Sequence, residues 1–153
     1  MPQNKETKIT ITLPSDSYFI SGIRDFTLAL GQNLTEMNEQ WAYRLQSVVD
    51  EICNNAVEYG STPGDEIKVT FISVKGESLA IEVEDKGTGK NKTNAAKMTK
   101  EMEENKNESY ALNLNIRGRG LTMIVNSWTD ELEFKDSKEG GIIVRVKKYI
   151  KKP

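Results

Sequence analysis

Ile9, Ile11 and Leu13 alternate with threonines, the period-two pattern of a strand with one buried face, and Pro14 ends it. Ser15 or Asp16 then caps a helix running to about Gly31, with Phe19, Ile20, Ile23, Phe26, Thr27 and Leu30 on one face. A polar link from Gln32 to Gln40 leads into the clearest helical stripe in the chain. There Leu45, Val48, Val49, Ile52, Cys53, Ala56 and Val57 recur at three- and four-residue spacing, and Gly60 stands where a C-terminal cap is expected.

Two strands follow, Ile67 to Ser73 and Leu79 to Asp85, joined across Lys75-Gly76-Glu77 as an antiparallel hairpin. Lys90 to Ile116 is polar, rich in Lys, Asn and Glu and short of apolar anchors, with room for a short helix around Asn94 to Glu104. A connection this long inside a compact domain is a functional lid or a disordered segment. A helix from Gly120 to Trp128 and two strands, Glu131 to Lys135 and Ile142 to Lys148, complete the pattern. The order predicts an α+β fold: a two-layer sandwich whose mixed, mostly antiparallel sheet packs on helices, rather than a βαβ parallel fold.

Composition narrows the function. With 153 residues the chain has the size of a single domain, 1–153, with a lid over about 90–117. A net charge of -2 supplies no global basic field, so direct nucleic-acid binding is not expected and phosphate recognition has to be local. One cysteine forms no intramolecular disulfide, and no cluster has zinc-ligand spacing. The N-terminus has no apolar signal core, and no stretch approaches the ~18 apolar residues that span a bilayer, so a cytoplasmic protein without a membrane role is expected. The chain contains no histidine, which removes Ser/His and Cys/His catalysis and an autophosphorylated histidine. Cys53 sits mid-stripe and reads as a core residue; Lys147, Lys148, Lys151 and Lys152 read as a solvated strand edge and tail.

Three motifs carry chemistry. Glu51 and Asn55 are one helical turn apart, beside the apolar stripe. Taken alone they are a solvated border pair. As a site, the Asn carbonyl is a hard oxygen ligand suited to Mg²⁺, and the carboxylate one turn away orients a hydroxyl or water for attack on a phosphoryl group. Asp85 continues the inward register of Leu79, Ile81 and Val83, so its carboxyl group is aimed at the core side and needs donors there. An adenine amino group is such a donor, and Gly87 and Gly89 let backbone and purine approach closely; the plainer alternative is a turn with positive-φ glycines. Finally, Arg117, Gly118, Arg119 and Gly120 precede an apolar helix opening at Leu121, where backbone N–H groups and arginine charge suit phosphate. The plainer alternative is an ordinary helix entry. No Walker-type loop, dinucleotide fingerprint or calcium loop is present.

In this order and on these elements, Glu51 to Ala56, Asp85 to Gly89 and Arg117 to Leu121 resemble the nucleotide site of the histidine-kinase-like ATPase superfamily, which includes gyrase and heat-shock chaperone ATPases and has the Bergerat fold. The chain is most similar to its small stand-alone branch, bacterial anti-sigma factors that are serine/threonine kinases. The resemblance implies ATP and Mg²⁺ as cofactors, with Glu51 as general base, Asn55 binding Mg²⁺, Asp85 holding the adenine amino group, and Gly87, Gly89, Gly118 and Gly120 shaping the pocket and lid hinges. It also implies a homodimer whose partners are a sigma factor and a small anti-sigma antagonist phosphorylated on serine or threonine. The alternatives are a sequestering module that binds nucleotide and transfers nothing, and a detached histidine-kinase catalytic domain.

Overall fold

A computed structural model describes residues 6–89, 93–107, 125 and 127–150. The alternating pattern at the start forms β1 (Glu6–Pro14), and α1 (Ile20–Ala29) follows a single 3-10 turn. Asp16 caps that turn by accepting from Tyr18 N at 2.9 Å, whereas Ser15 is buried and bonds to Ser61. The polar link is shorter than its composition suggested. A wide turn over Leu30–Leu34 extends α1, and Asn38 caps α2 (Glu39–Glu58) by accepting from Trp41 N. β2 (Glu66–Val74) and β3 (Ser78–Glu84) form the expected hairpin, and β4 (Glu131–Asp136) and β5 (Ile142–Tyr149) form the last one.

The five strands lie in the order β1-β2-β3-β5-β4. All four pairings are antiparallel, so the parallel component of a mixed sheet is absent among the described strands. Period-two alternation explains which face is covered. Ile11, Val69, Val83, Val144 and Phe134 form one continuous row across the sheet, and Ile9, Phe71, Ile81, Val146 and Leu132 form the next. These rows lie under α1 and α2, where Leu45, Val48, Val49, Ile52 and Cys53 are almost fully buried. Phe26 of α1 meets Phe71 edge to face at 5.1 Å. The opposite face carries Thr10, Thr70, Glu82, Arg145 and Glu133 in register, with Arg145 paired to Glu82, Glu131 and Glu133.

Two expectations change. The polar stretch after β3 holds the short helix expected there, α3 (Ala95–Asn107), but few apolar residues suffice to dock it on β4: Met98 is fully buried, and Ala95 N donates to Asp136 Oδ1 at 2.8 Å. Asn94 caps it through Lys97 N. Residues 90–92 and 108–117 of the expected lid lie outside the described residues. Lys148 is not a solvated edge residue. It is 8% exposed, with Nζ 3.2 Å from Asp130 and 3.8 Å from the Trp41 ring centroid, because β5 carries it beneath the start of α2. Of the helix expected from Gly120 to Trp128, Val125 and Ser127 are helical and Val125 is fully buried.

The two sheet faces make opposite demands on their side chains. Phe71→Ala should lower unfolding free energy by about 3–5 kcal/mol, the range for truncating a buried aromatic, whereas Thr10→Ala on the outer face should cost about 1 kcal/mol or less. Urea unfolding of the two variants beside wild type measures both.

Candidate functional site

Asn55 sits in the last turns of α2, on the side that faces the sheet, because its helical position falls next to Ile52 and Ala56. It is 3% exposed, and neither Oδ1 nor Nδ2 has a hydrogen-bond partner among the described residues. Leaving a buried amide unsatisfied costs about 1–3 kcal/mol, which marks this side chain as a candidate ligand-binding group. Glu51, one turn earlier, is partly buried beside the same stripe. Cys53, between them, is fully buried, and burial pushes its thiol up to about 12; it is a protonated core group, as expected.

Asp85 follows directly on β3. The inward register of Leu79, Ile81 and Val83 carries its side chain into the core, where it is 1% exposed. Its Oδ1 accepts from Gly87 N at 2.9 Å and from Ile142 N at 3.3 Å, while its own N–H donates to Ile142 O at 3.1 Å. The sharp turn that brings Gly87 N back onto the carboxyl group uses φ +72° at Gly87, and a Cβ there would lie 2.3 Å from Gly140 O. At Gly141 a Cβ would stand 2.0 Å from Asp85 O and 2.6 Å from Asp85 Oδ1. Gly140 and Gly141 therefore belong to the site, although the sequence reading passed over them. Their signal was a glycine pair in the turn of the last hairpin, interpretable only once β5 is known to lie beside β3.

Gly89 closes the loop against α2. A Cβ at Gly89 would fall 2.1 Å from Tyr59 O and 2.7 Å from Ser61 N, and Gly87 N also donates to Gly60 O at 3.0 Å. Gly60 does not cap α2 through a left-handed turn; Ser61 Oγ does part of that work by donating to Ala56 O at 2.8 Å. These contacts bring Asn55, Asp85, Gly87 and Gly89 to one end of the molecule, with Glu51 a turn further along α2. Arg117, Gly118, Arg119, Gly120 and Leu121 lie outside the described residues.

The donor set suits a hard cation shared with a ligand better than a protein-only metal cage. Among the described residues no group of three or more His, Cys, Asp or Glu side chains is placed to hold a metal, while Asn55 presents an unused amide oxygen. A cavity of about 230 Å³ is lined by Asp85 itself, with Thr12, Lys68, Glu84, Lys86 and Glu139 among others. It excludes Asn55 and Glu51. Among the described residues no helix is long and apolar enough to cross a membrane.

No curated protein matches the chain by sequence. The profile of the family described as histidine kinase-like ATPase domain does match it, over residues 13–148, which run from the end of β1 to Lys148 of β5 and so include β2, β3, β4, nearly all of β5 and both halves of the site just described. A match over that span, on an α+β sandwich with a five-stranded antiparallel sheet, shows that the chain belongs to the histidine kinase-like ATPase domain family.

Proposed function

We propose that this protein binds Mg²⁺-ATP at the α2–β3 end of the sheet and is a serine/threonine protein kinase. In this reading it acts as an anti-sigma factor or partner-switching regulator on a small antagonist protein. Family membership supports the ATP reading. The single observation that carries it to this site is the buried amide of Asn55, unpartnered on both polar atoms among the described residues and one turn from a carboxylate.

Each residue has a distinct task. The carbonyl oxygen of Asn55 is the metal ligand. Asp85 accepts from the adenine amino group, held in place by the Gly87 and Ile142 N–H groups and unable to swing because Gly141 is packed against it. Gly87 and Gly89 bring the main chain close to α2 without a side chain in the way. Arg117, Arg119 and the N–H groups from Gly118 through Gly120 to Leu121 bind phosphate oxygens. When bound, Mg²⁺-ATP supplies the phosphoryl group and neutralises its charge. Glu51 aligns the hydroxyl of the protein substrate and accepts its proton. A group with that task has no use in a module that only binds, which is why the kinase reading is preferred over sequestration.

Three variants separate these roles. Asp85→Asn should weaken ATP about 10- to 100-fold, the worth of a hydrogen bond to a charged group, and relax discrimination against GTP; calorimetric titration with both nucleotides reads this. Asn55→Ala removes a buried amide that no described residue satisfies, so it should abolish Mg²⁺-dependent nucleotide binding while leaving the free protein at least as stable in urea. Glu51→Gln should retain Mg²⁺-ATP and partner binding and lose about 10²- to 10⁴-fold in phosphotransfer to a serine- or threonine-bearing partner followed with labelled ATP. Wild-type transfer by Glu51→Gln would remove Glu51 as base. Tight partner binding by a wild-type protein that transfers nothing would replace the kinase with the sequestering module.

A further inference from the structure

The loop that follows α2 and the loop that follows β3 are tied by side chains as well as by backbone. Asp65 Oδ2 accepts from Thr62 Oγ1 at 2.8 Å, from Thr62 N at 3.3 Å and, across the gap, from the hydroxyl of Thr88, the residue between Gly87 and Gly89. Thr62 Oγ1 also lies 3.3 Å from Thr88 Oγ1. The anchor itself is held: Asp65 N donates to Thr62 O at 3.1 Å, and Asp65 O accepts from Ser15 N, at the end of β1, at 2.8 Å. The three donors hold the Asp65 carboxyl group below the usual carboxylate range, Thr88 contributing most, so it is ionised at neutral pH.

The tie spans the two halves of the site. Asn55 and Glu51 are carried by α2, whose chain continues into the loop bearing Thr62 and Asp65; Asp85, Gly87 and Gly89 are carried by the loop bearing Thr88. Gly87 N to Gly60 O and the close approach of Gly89 to Tyr59 O set how near the two loops come. Neither of those contacts involves a side chain that fixes the Gly87–Gly89 turn laterally. Thr88 is the one residue of that turn with a side chain, and its hydroxyl is spent on Asp65. The side chains concerned are at the surface, so the tie adds little to the core, and its value lies in geometry.

We propose that Asp65 and Thr88 form a latch that positions the Asp85–Gly89 loop relative to α2, making both of them positioning residues for nucleotide binding. The proposal rests on the nucleotide reading of the site. Removing the Thr88 hydroxyl frees the turn to sample other orientations, and nucleotide then binds only the fraction of molecules in the competent one.

Calorimetric titration of Mg²⁺-ATP into wild type, Thr88→Val, Thr88→Ser, Asp65→Ala and the Thr88→Val/Asp65→Ala pair tests it, with thermal melting of each free protein alongside. Thr88→Val keeps the shape but not the hydroxyl, and affinity should fall about three- to tenfold, the usual net worth of one hydrogen bond. Thr88→Ser should restore affinity to within about twofold. Asp65→Ala, which removes the acceptor, should lower affinity at least as much as Thr88→Val, and the double variant should be no weaker than Asp65→Ala, since both substitutions remove the same contact. Free-protein melting should shift by less than about 3 °C. Unchanged affinity in Thr88→Val, failure of Thr88→Ser to rescue, or additive losses in the double variant would each overturn the latch while leaving nucleotide binding in place. Failure of the wild-type protein to bind Mg²⁺-ATP would overturn both readings.

Discussion

A carboxyl group placed inside a protein must be given donors, and at Asp85 the requirement shapes everything around it. Two backbone N–H groups converge on Oδ1, one from Gly87 in the turn that follows and one from Ile142 at the start of the neighbouring strand. For both to reach, the chain turns through positive φ at Gly87, and the last hairpin packs so tightly that Gly141 has no room for a Cβ. The last hairpin is therefore the wall that holds Asp85 as well as the far side of the sheet. Its position beside β3, rather than its own residues' chemistry, makes it part of the site.

Asn55 poses the complementary problem. Asp85 is met by main-chain donors, whereas the Asn55 amide is buried beside an apolar stripe with its polar atoms unpaired among the described residues. An amide in that position reduces the stability of the folded chain, and packing alone would favour an aliphatic residue. Such a group is the feature on which the proposed nucleotide site rests, and it fits membership of an ATPase family.

The opposite end of the sheet is braced differently. Trp41, at the start of α2, has the Lys148 ammonium 3.8 Å and the Arg44 guanidinium 4.6 Å from its ring centroid, and Lys148 is paired with Asp130 in front of β4. Charges and an aromatic ring thus fasten the N-terminal end of α2 to β5, while the C-terminal end is held by close glycine contacts and by Ser61. With α2 gripped at both ends, Glu51 and Asn55 are presented from a helix that the core cannot rotate without exposing Val48, Val49 and Ile52.

The residue pattern by itself determined the five described strands and α2, with their inward faces. Period two in Ile9-Ile11-Leu13 and in Leu79-Ile81-Val83, and helical spacing from Leu45 to Ala56, follow from local geometry that each segment carries alone. Parity was enough to send Asp85 inward, and the helical wheel to set Glu51 and Asn55 beside the stripe. Sequence could not show that β5 inserts between β3 and β4, because strand order depends on contacts between residues some sixty positions apart, such as Asp85 and Ile142. That insertion makes Gly140 and Gly141 part of the Asp85 wall and buries Lys148, which a list of terminal lysines reads as solvated. Likewise Thr88 meets Asp65, and Met98 anchors α3 on β4, only after the chain has folded back on itself. Periodicity records the environment of one residue at a time; the partners of a buried polar group are chosen by the packing of the whole chain.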